Sequence, residues 1–525
     1  MIPINLTRHH MKRLLLITFA LLLSSSFAMA QSADEVVEAI VKEANENSQL
    51  EYLAHQLTDV IGPRLVGTPQ QQKAHDWAVE QFKEWGIEAE NQQFGMWRGW
   101  ERGITHIDLL SPRVVSLEGQ QLAWSPSTPE GGVTASLAIL PNVEDQAEFD
   151  EWLKSIDGKI VLISQPQITG RPDYNWEEFA TEESFEKMRE TRQLLNDEWR
   201  DNLSRIGYGR DLNNKLEEAG AVALFQSRWS RGFGVNKIFS ANTETIPVID
   251  LSLEDYGMLH RMVEYGGEPE VRVNAQSKEL GDVPMFNTIA TIPGTEKPDE
   301  YIILSAHYDS WDGGTGATDN ATGSITMMET ARILMKLYPN PKRTIIVGLW
   351  GSEEQGLNGS GAFVEDNPEI VDNLQALFNQ DNGTGRVVRV SGQGFLHSYE
   401  FIQRWMEPVP RDITRHIETT FPGTPGGGGS DYASFVTAGA PGFSLSSLSW
   451  SYWNYTWHTN RDTYDKIVFD DVRNNVILTA IMTYMASEDP ETFPRDRAVL
   501  PMNPRTGEQM TWPSPRTPNR DGTKD

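Results

Sequence analysis

The stretch IILSAHYD, Ile302 to Asp309, is a short apolar run that meets a histidine and an aspartate with no linker between them. The same arrangement recurs twice. Thr344 to Trp350 (TIIVGLW) leads into Gly351-Ser352-Glu353-Glu354, and Ala376 to Gln380 (ALFNQ) leads into Asp381. Apolar runs of this length, rich in β-branched residues, read as strands buried on both faces. Further strand-like runs fall at Asn287–Ile292, His416–Thr420 and Gly442–Leu445, with helical patterns over Ser324–Leu337 and Asp470–Met485. Strand–helix alternation of this kind predicts an α/β unit: a mixed, mainly parallel central sheet flanked by helices. In such sheets, ligands collect beyond the carboxyl ends of the strands. Three separate strands thus deliver His307, the Glu353–Glu354 pair and Asp381 to one edge.

Working outward, residues 33–60 and 69–86 read as amphipathic helices, broken by Gly62-Pro63 and Gly67-Thr68-Pro69. A different texture follows. Lys159–Ile163 (KIVLI), Ala221–Phe225 (AVALF) and Ile246–Leu251 (IPVIDL) are short apolar runs expected to be strands. The polar segment 174–217 and residues 254–265 are expected to be helical. The predicted organisation is a leader over 1–30, a first part of the main domain over 31–129, an insertion over 130–275, the rest of the main domain over 276–488, and an extended tail over 489–525. The leader rests on Arg8, Lys12 and Arg13, the apolar run Leu14–Leu23, and the Ala28-Met29-Ala30 sequence, which together form a secretory signal. The expected location is therefore periplasmic or secreted.

The chain of 525 residues carries a net charge of −29, and loss of the three basic leader residues makes it more negative still. Such a surface repels nucleic acid and anionic lipid, so neither nucleic-acid binding nor stable membrane association is expected. There is no cysteine, which excludes thiolate metal sites and cysteine nucleophiles. Any metal must be held by His, Asp and Glu.

Asp319 lies in a glycine-rich loop, Gly313–Gly323, that opens onto the Ser324 helix, and His458 ends an aromatic loop that begins at Trp450. With His307, Glu354 or Glu353, and Asp381, these make five ligands. If one is shared, each of two ions receives three. Imidazoles and carboxylates suit zinc, and co-catalytic pairs sit ~3.5–4 Å apart. The remaining glutamate is then placed to take a proton from water; spacing leaves open which glutamate has which part. Asp309 is placed to hydrogen-bond the His307 imidazole. Taken singly, a lone histidine usually packs in a core or on a surface, and an aspartate in a glycine-rich loop usually makes a turn. The coincidence of all of them at strand ends and loops favours a metal site. His55, His75, His106, His260, His397 and His416 lack that setting and read as structural.

His307-Tyr308-Asp309-Ser310-Trp311, Ala317-Thr318-Asp319-Asn320, Ser352-Glu353-Glu354-Gln355-Gly356, Gln380-Asp381-Asn382 and His458-Thr459 with Asp462-Thr463 resemble the motifs of the co-catalytic zinc aminopeptidases of metallopeptidase family twenty-eight. His307–Asp312, with Pro341-Lys342-Arg343-Thr344, is most similar to the carboxypeptidase Q branch. The resemblance covers residues 284–485, and 33–95 more weakly. It implies two zinc ions per chain bridged by Asp319, with His307 and Asp381 on one and Glu354 and His458 on the other, and Glu353 as general base. It also implies that the insertion is a small β-rich protease-associated domain over the cleft, that homodimers are possible, and that short peptides or dipeptides are cleaved at a free N-terminus. Three other activities remain to be weighed. They are a carboxypeptidase of the glutamate carboxypeptidase type, a one-zinc glutaminyl cyclase-like acyltransferase (against which His307 and Asp381 stand), and a binding protein without catalysis, against which the complete ligand set stands. The chain departs from several relatives at Trp457, where they place a Tyr or His that can steady an oxyanion; Tyr452 and Tyr455 are the nearby alternatives. Gly426–Gly429 reads as a substrate loop or a plain connector.

Overall fold

The computed structural model describes residues 32–522, so the leader expected over 1–30 lies outside the described residues. The strands form one continuous 14-stranded sheet, and its larger part has eight: β1 (Glu88–Ser111), β2 (Glu270–Ile292), β3 (Lys297–His307), β4 (Arg343–Trp350), β5 (Leu374–Asn379), β6 (Val387–Ser391), β7 (Glu418–Thr420) and β8 (Gly442–Ser447). They lie side by side in the order β1-β2-β4-β3-β5-β8-β6-β7. β4, β3, β5 and β8 are mutually parallel. β1 and β2 run antiparallel on one flank; on the other, β6 opposes β8 and parallels β7. The sheet is mixed with a parallel centre, as the alternation predicts.

Successive side chains of a strand point to opposite faces. Ile302, Leu304, Ile345, Val347, Ala376 and Phe378 enter one core with residues of helices Ala33–Glu46, Pro69–Glu84, Thr322–Leu337 and Phe469–Glu488. Ile303, Ile346 and Leu377 enter another with Phe363 and Phe435. Burial on both faces is why the central strands read as unbroken apolar runs.

Helix starts follow their caps. The Ser32 hydroxyl accepts from the Glu35 N–H while the Glu35 carboxylate accepts from the Ser32 N–H, and Thr68 caps the Gln71 N–H ahead of Pro69. The single helix expected over 33–60 is divided into Ala33–Glu46 and Leu50–His55, the second continuing as a π-turn to Ile61. Asn47 and Ser48 engage local groups instead, Asn47 with the Glu43 carboxylate and Ser48 with the Leu50 N–H. Segment 174–217 forms three helices, Asp173–Phe179, Glu182–Ile206 and Gly209–Glu218. Gly207 breaks the last two apart at φ 103°, a conformation cheap only for glycine.

The strand β1, 24 residues long, has no counterpart among the sequence expectations. Its polar residues and Gly95, Gly99 and Gly103 hide it, and register shifts against β2 disrupt the period of two along its length. β1 and β2 continue past the larger part of the sheet as a ribbon that carries the insertion. There Val133–Ile139 pairs with β2. Ile160–Leu162, Ala223–Gln226 and Val248–Leu251 follow in parallel, and Gly119–Gln121 closes the edge. The insertion is more helical than expected: its largest element is the 25-residue helix Glu182–Ile206.

Residues 489–522 are extended but not loose. The Trp512 indole donates to the Val436 carbonyl and its ring meets Phe395 edge-on. Arg520 pairs with Glu365 and Asp366, and its carbonyl accepts from the Met96 N–H. This strap covers Gly427 and Gly428, where a Cβ would meet Pro513 and Arg516. Close packing under the strap, rather than freedom to move, accounts for the glycine run.

Arg332 joins the N-terminal helix to the helix behind the sheet. It is buried and forks onto Glu329 at 2.8 and 2.9 Å while reaching Glu43 at 2.8 Å. Arg332→Met strands the buried Glu329 carboxylate and leaves Glu43 with Lys336 alone as its cationic partner, a change that costs ~3–5 kcal/mol. The expected result is a clearly lower melting temperature in scanning calorimetry, partly restored by adding Glu43→Gln and Glu329→Gln. A melting temperature equal to the parent's would contradict this account.

Candidate metal centre

β3, β4 and β5 end at one edge of the sheet, and the chain places its polar residues immediately beyond them. His307 is the last residue of β3, Glu353 and Glu354 follow the end of β4, and Asp381 follows β5. Asp319 sits in the turn Ala317–Ala321 before the helix Thr322–Leu337, and the Asp319–Asn320 peptide is cis. His458 closes the aromatic loop with φ 51°.

These side chains form two groups with one member in common. His307 Nε2 lies 3.0 Å from Asp381 Oδ1 and 3.3 Å from Asp319 Oδ1. His458 Nε2 lies 2.8 Å from Glu354 Oε2 and 3.4 Å from Asp319 Oδ2. His307, Asp319 and Asp381 could hold one metal ion, and Asp319, Glu354 and His458 another, with Asp319 presenting a different oxygen to each. Glu353 belongs to neither group, although it stands beside them.

Asp309 has a different task from the expected one. The His307 Nδ1–H donates to the Asp309 main-chain carbonyl at 3.1 Å, which leaves Nε2 as the ligand atom, whereas the Asp309 carboxylate stays 3.7 Å away. That carboxylate instead accepts from the Glu353 N–H (3.0 Å) and the Glu354 N–H (3.1 Å). It therefore sets the turn that sends one glutamate into a ligand group and keeps the other out. Asp462 does the same for the shared ligand, accepting from the Thr318 N–H at 2.8 Å and the Asp319 N–H at 3.0 Å.

Sequence reasoning misses two cations. Arg64, fully buried, donates to the carbonyls of Gly62, Tyr308, Thr315 and Gly316 and so fastens the loop before Asp319. Gly316 is obligatory there, since φ is 58° and a Cβ would lie 2.3 Å from Ser310. Lys237, from the insertion, donates to the carbonyls of Trp453 and Trp457 and stands 4.5 Å over the Trp457 ring. Around it the insertion grips the His458 loop. The Ile238 N–H donates to the His458 carbonyl, Asn236 and Asn460 exchange bonds, and Arg461 donates to the Gly234 carbonyl. Nothing local in the sequence signals these contacts, which join residues more than two hundred positions apart. Trp457 stacks on the His458 ring at 3.8 Å. Tyr452 is buried with its hydroxyl on Asp319, whereas Tyr455 packs against Gly232 of the insertion. Of the six histidines read as structural, His75 is wholly buried against Thr288.

The electrostatics demand cations. Burial pushes the Glu353 carboxyl well above the ordinary range; His307 opposes this, and Asp381, Asp431 and Glu354 add to it. Burial first, then Asp319, does the same to Glu354. Burial raises Asp462 to about 7, helped by Asp319. Burial lowers His458 to about 4, leaving it neutral and able to bind a metal at pH 7. So many carboxylates cannot stay charged in a dry pocket without positive partners. Glu354 Oε1 and Asp319 Oδ2 are also buried with no hydrogen-bond donor among the described residues. Divalent ions meet both needs, and an all-oxygen-and-imidazole donor set suits zinc.

If the insertion seats His458, then Lys237→Met weakens metal binding although Lys237 touches no ligand side chain. Loss of such supporting contacts lowers affinity ~10–100-fold. Chelator competition with zinc reads the change, and Lys237→Arg should recover part of it; an affinity equal to the parent's would refute the role.

Residues 287–481 match the model of Peptidase family M28. Mouse carboxypeptidase Q is 27% identical over 445 residues, which span 84% of this chain and 86% of that protein. Among solved structures, the peptidase M28 precursor of Shewanella amazonensis superposes with a TM-score of 0.63 at 23% identity, covering 88% of this chain and 99% of the other. The zinc aminopeptidase of Bacillus subtilis gives 0.55 at 20% identity, covering 87% and 98%. With the ligand groups at the strand ends, these place residues 287–481 in peptidase family M28 as a zinc-dependent peptidase domain, in a chain similar to carboxypeptidase Q.

Proposed function

We propose that the protein is an exported aminopeptidase or dipeptidase that uses two zinc ions to remove residues from the free N-terminus of short peptides. The observation that carries the proposal is Asp319, whose two oxygens face two separate ligand groups while Glu353 stands outside both. Zinc, when bound, would polarise the scissile carbonyl and acidify water.

The protein's own groups supply the rest. Glu353 accepts the proton of the attacking water and returns it to the departing amine. Its burial among Asp381, Asp431 and Glu354 raises its proton affinity, which suits a group that must take a proton and then release it. Tyr452, whose hydroxyl lies on Asp319 and is held protonated by burial and by the surrounding carboxylates, is the donor we assign to the developing oxyanion, since Trp457 offers only an indole N–H. The surplus of carboxylates favours a substrate ammonium and so supports cleavage at a free N-terminus. The carboxypeptidase Q relatives keep a carboxypeptidase direction as the second reading. We also read the insertion as a protease-associated domain that narrows the approach, since Ile238 and Phe239 come from it and stand at the metal ligands.

Glu353→Gln should retain its zinc and its melting temperature yet lose ~10²–10⁴-fold in turnover. Parental turnover in that variant would overturn the mechanism, and loss of zinc would instead make Glu353 a ligand. Export is checked separately. Mass spectrometry of protein recovered outside the cytoplasm should find Gln31 as the first residue, and an intact 1–30 segment would contradict the leader. No helix among the described residues is long and apolar enough to cross a membrane.

A further inference from the structure

A well-formed cavity lies in the insertion, apart from the metal ligands. It encloses about 640 Å³, within the range of small-ligand sites. It opens at the carboxyl ends of the parallel strands Ile160–Leu162 and Ala223–Gln226, where open α/β sheets place ligands. Its far wall is the helix Glu182–Ile206, through Trp199.

Its lining is unusual for this chain. Asp and Glu number 74 against 45 Lys and Arg, yet no acidic side chain lines the cavity. Two arginines do. Arg200 is committed to Asp197 on its own helix. Arg228 forms no ion pair among the described residues. The acid that influences it, Asp250, is already occupied by Asn236, Gln226 and the Arg228 main-chain N–H. The Arg228 side chain is exposed, and its guanidinium stands 5.1 Å over the Phe239 ring. Gln165 adds an acceptor, its Oε1 being buried without a partner. An unpaired guanidinium and an unsatisfied carbonyl lining one cavity match a peptide end, with a carboxylate for the first and an N–H for the second.

Phe239 also sets the distance. Its ring lies 5.3 Å from the His458 ring. Ile238 lines the metal pocket, while Ser240 and Ala241 line the cavity, so one short segment has the two sites on either side. Arg228 is thus roughly 10 Å or less from His458, the span of about three extended residues.

We propose that this cavity binds the C-terminal carboxylate of the substrate through Arg228, so that peptides of two or three residues reach from there to the metal centre. The proposal rests on the peptidase reading above and makes that reading specific. Peptides with free carboxylates are held at both ends, and longer ones lose the hold at one end.

The test uses the zinc-loaded full chain on alanine peptides of two to five residues, each as the free acid and as the C-terminal amide. The parent should prefer the free acids at least tenfold in kcat/KM for di- and tripeptides, with the preference fading at four and five. Arg228→Gln should reduce that acid-to-amide ratio at least tenfold, mainly through KM, and Arg228→Lys should restore part of it. Binding of Ala-Ala to metal-free protein, followed by Trp199 fluorescence, should weaken in step. An equal use of acids and amides by the parent, or a ratio unmoved by Arg228→Gln, overturns the proposal. A different result exposes failure of the aminopeptidase reading alone: N-acetylated peptides are cleaved, unblocked ones are not, and the acid preference persists.

Discussion

Repulsion among buried carboxylates is the constraint around which this molecule is organised. Asp309, Asp319, Glu353, Glu354, Asp381, Asp431 and Asp462 are brought to one edge of a sheet whose strands are buried on both faces. Four of them lie outside both ligand groups, and two of these four, Asp309 and Asp462, spend their oxygens on main-chain N–H groups and thereby position three of the others. Chain geometry and charge are thus coupled. Each residue that shapes the turns also adds to the negative potential that a dication relieves.

The sheet supplies rigidity for this arrangement. β3 and β5 have parallel neighbours on both sides and β4 lies between parallel β3 and antiparallel β2, and their side chains alternate between two apolar cores. A ligand at the end of such a strand has little freedom, because moving it would shift a register fixed by both cores. His458 lacks that support, since it comes from a loop with several left-handed residues. The insertion makes up the difference through Lys237, Ile238 and Asn236.

What could be read in the sequence divides along the same line. Strands that end in ligands were legible, because IILSAHYD, TIIVGLWGSEE and ALFNQD join an apolar run to a polar residue within a few positions. The separate roles of Glu353 and Glu354 were not, since adjacent glutamates differ only in the turn that Asp309 imposes; family resemblance was needed. β1 was illegible because its glycines and bulges erase the alternation that marks a strand. Arg64, Lys237 and Arg228 gave no signal, for an isolated basic residue gains its meaning only from carbonyls, rings and cavities supplied by distant parts of the chain. Asp309 meets the His307 imidazole, as its place two residues on predicts, but through its main-chain carbonyl, while its carboxylate holds the glutamate turn.

The double attachment of the insertion has a consequence for how such proteins diversify. The β1–β2 ribbon joins it covalently to the main sheet, and the contacts of Gly234–Ile238 with residues 454–461 join it a second time. The same few residues hold a metal ligand's backbone on one side and shape the neighbouring cavity on the other. An insertion exchanged for that of a distant relative would therefore arrive with foreign backbone at the seat of His458. Only grafts that preserve the Asn236–Ile238 seam keep that seat intact, so metal chemistry and the shape of the approach are inherited together.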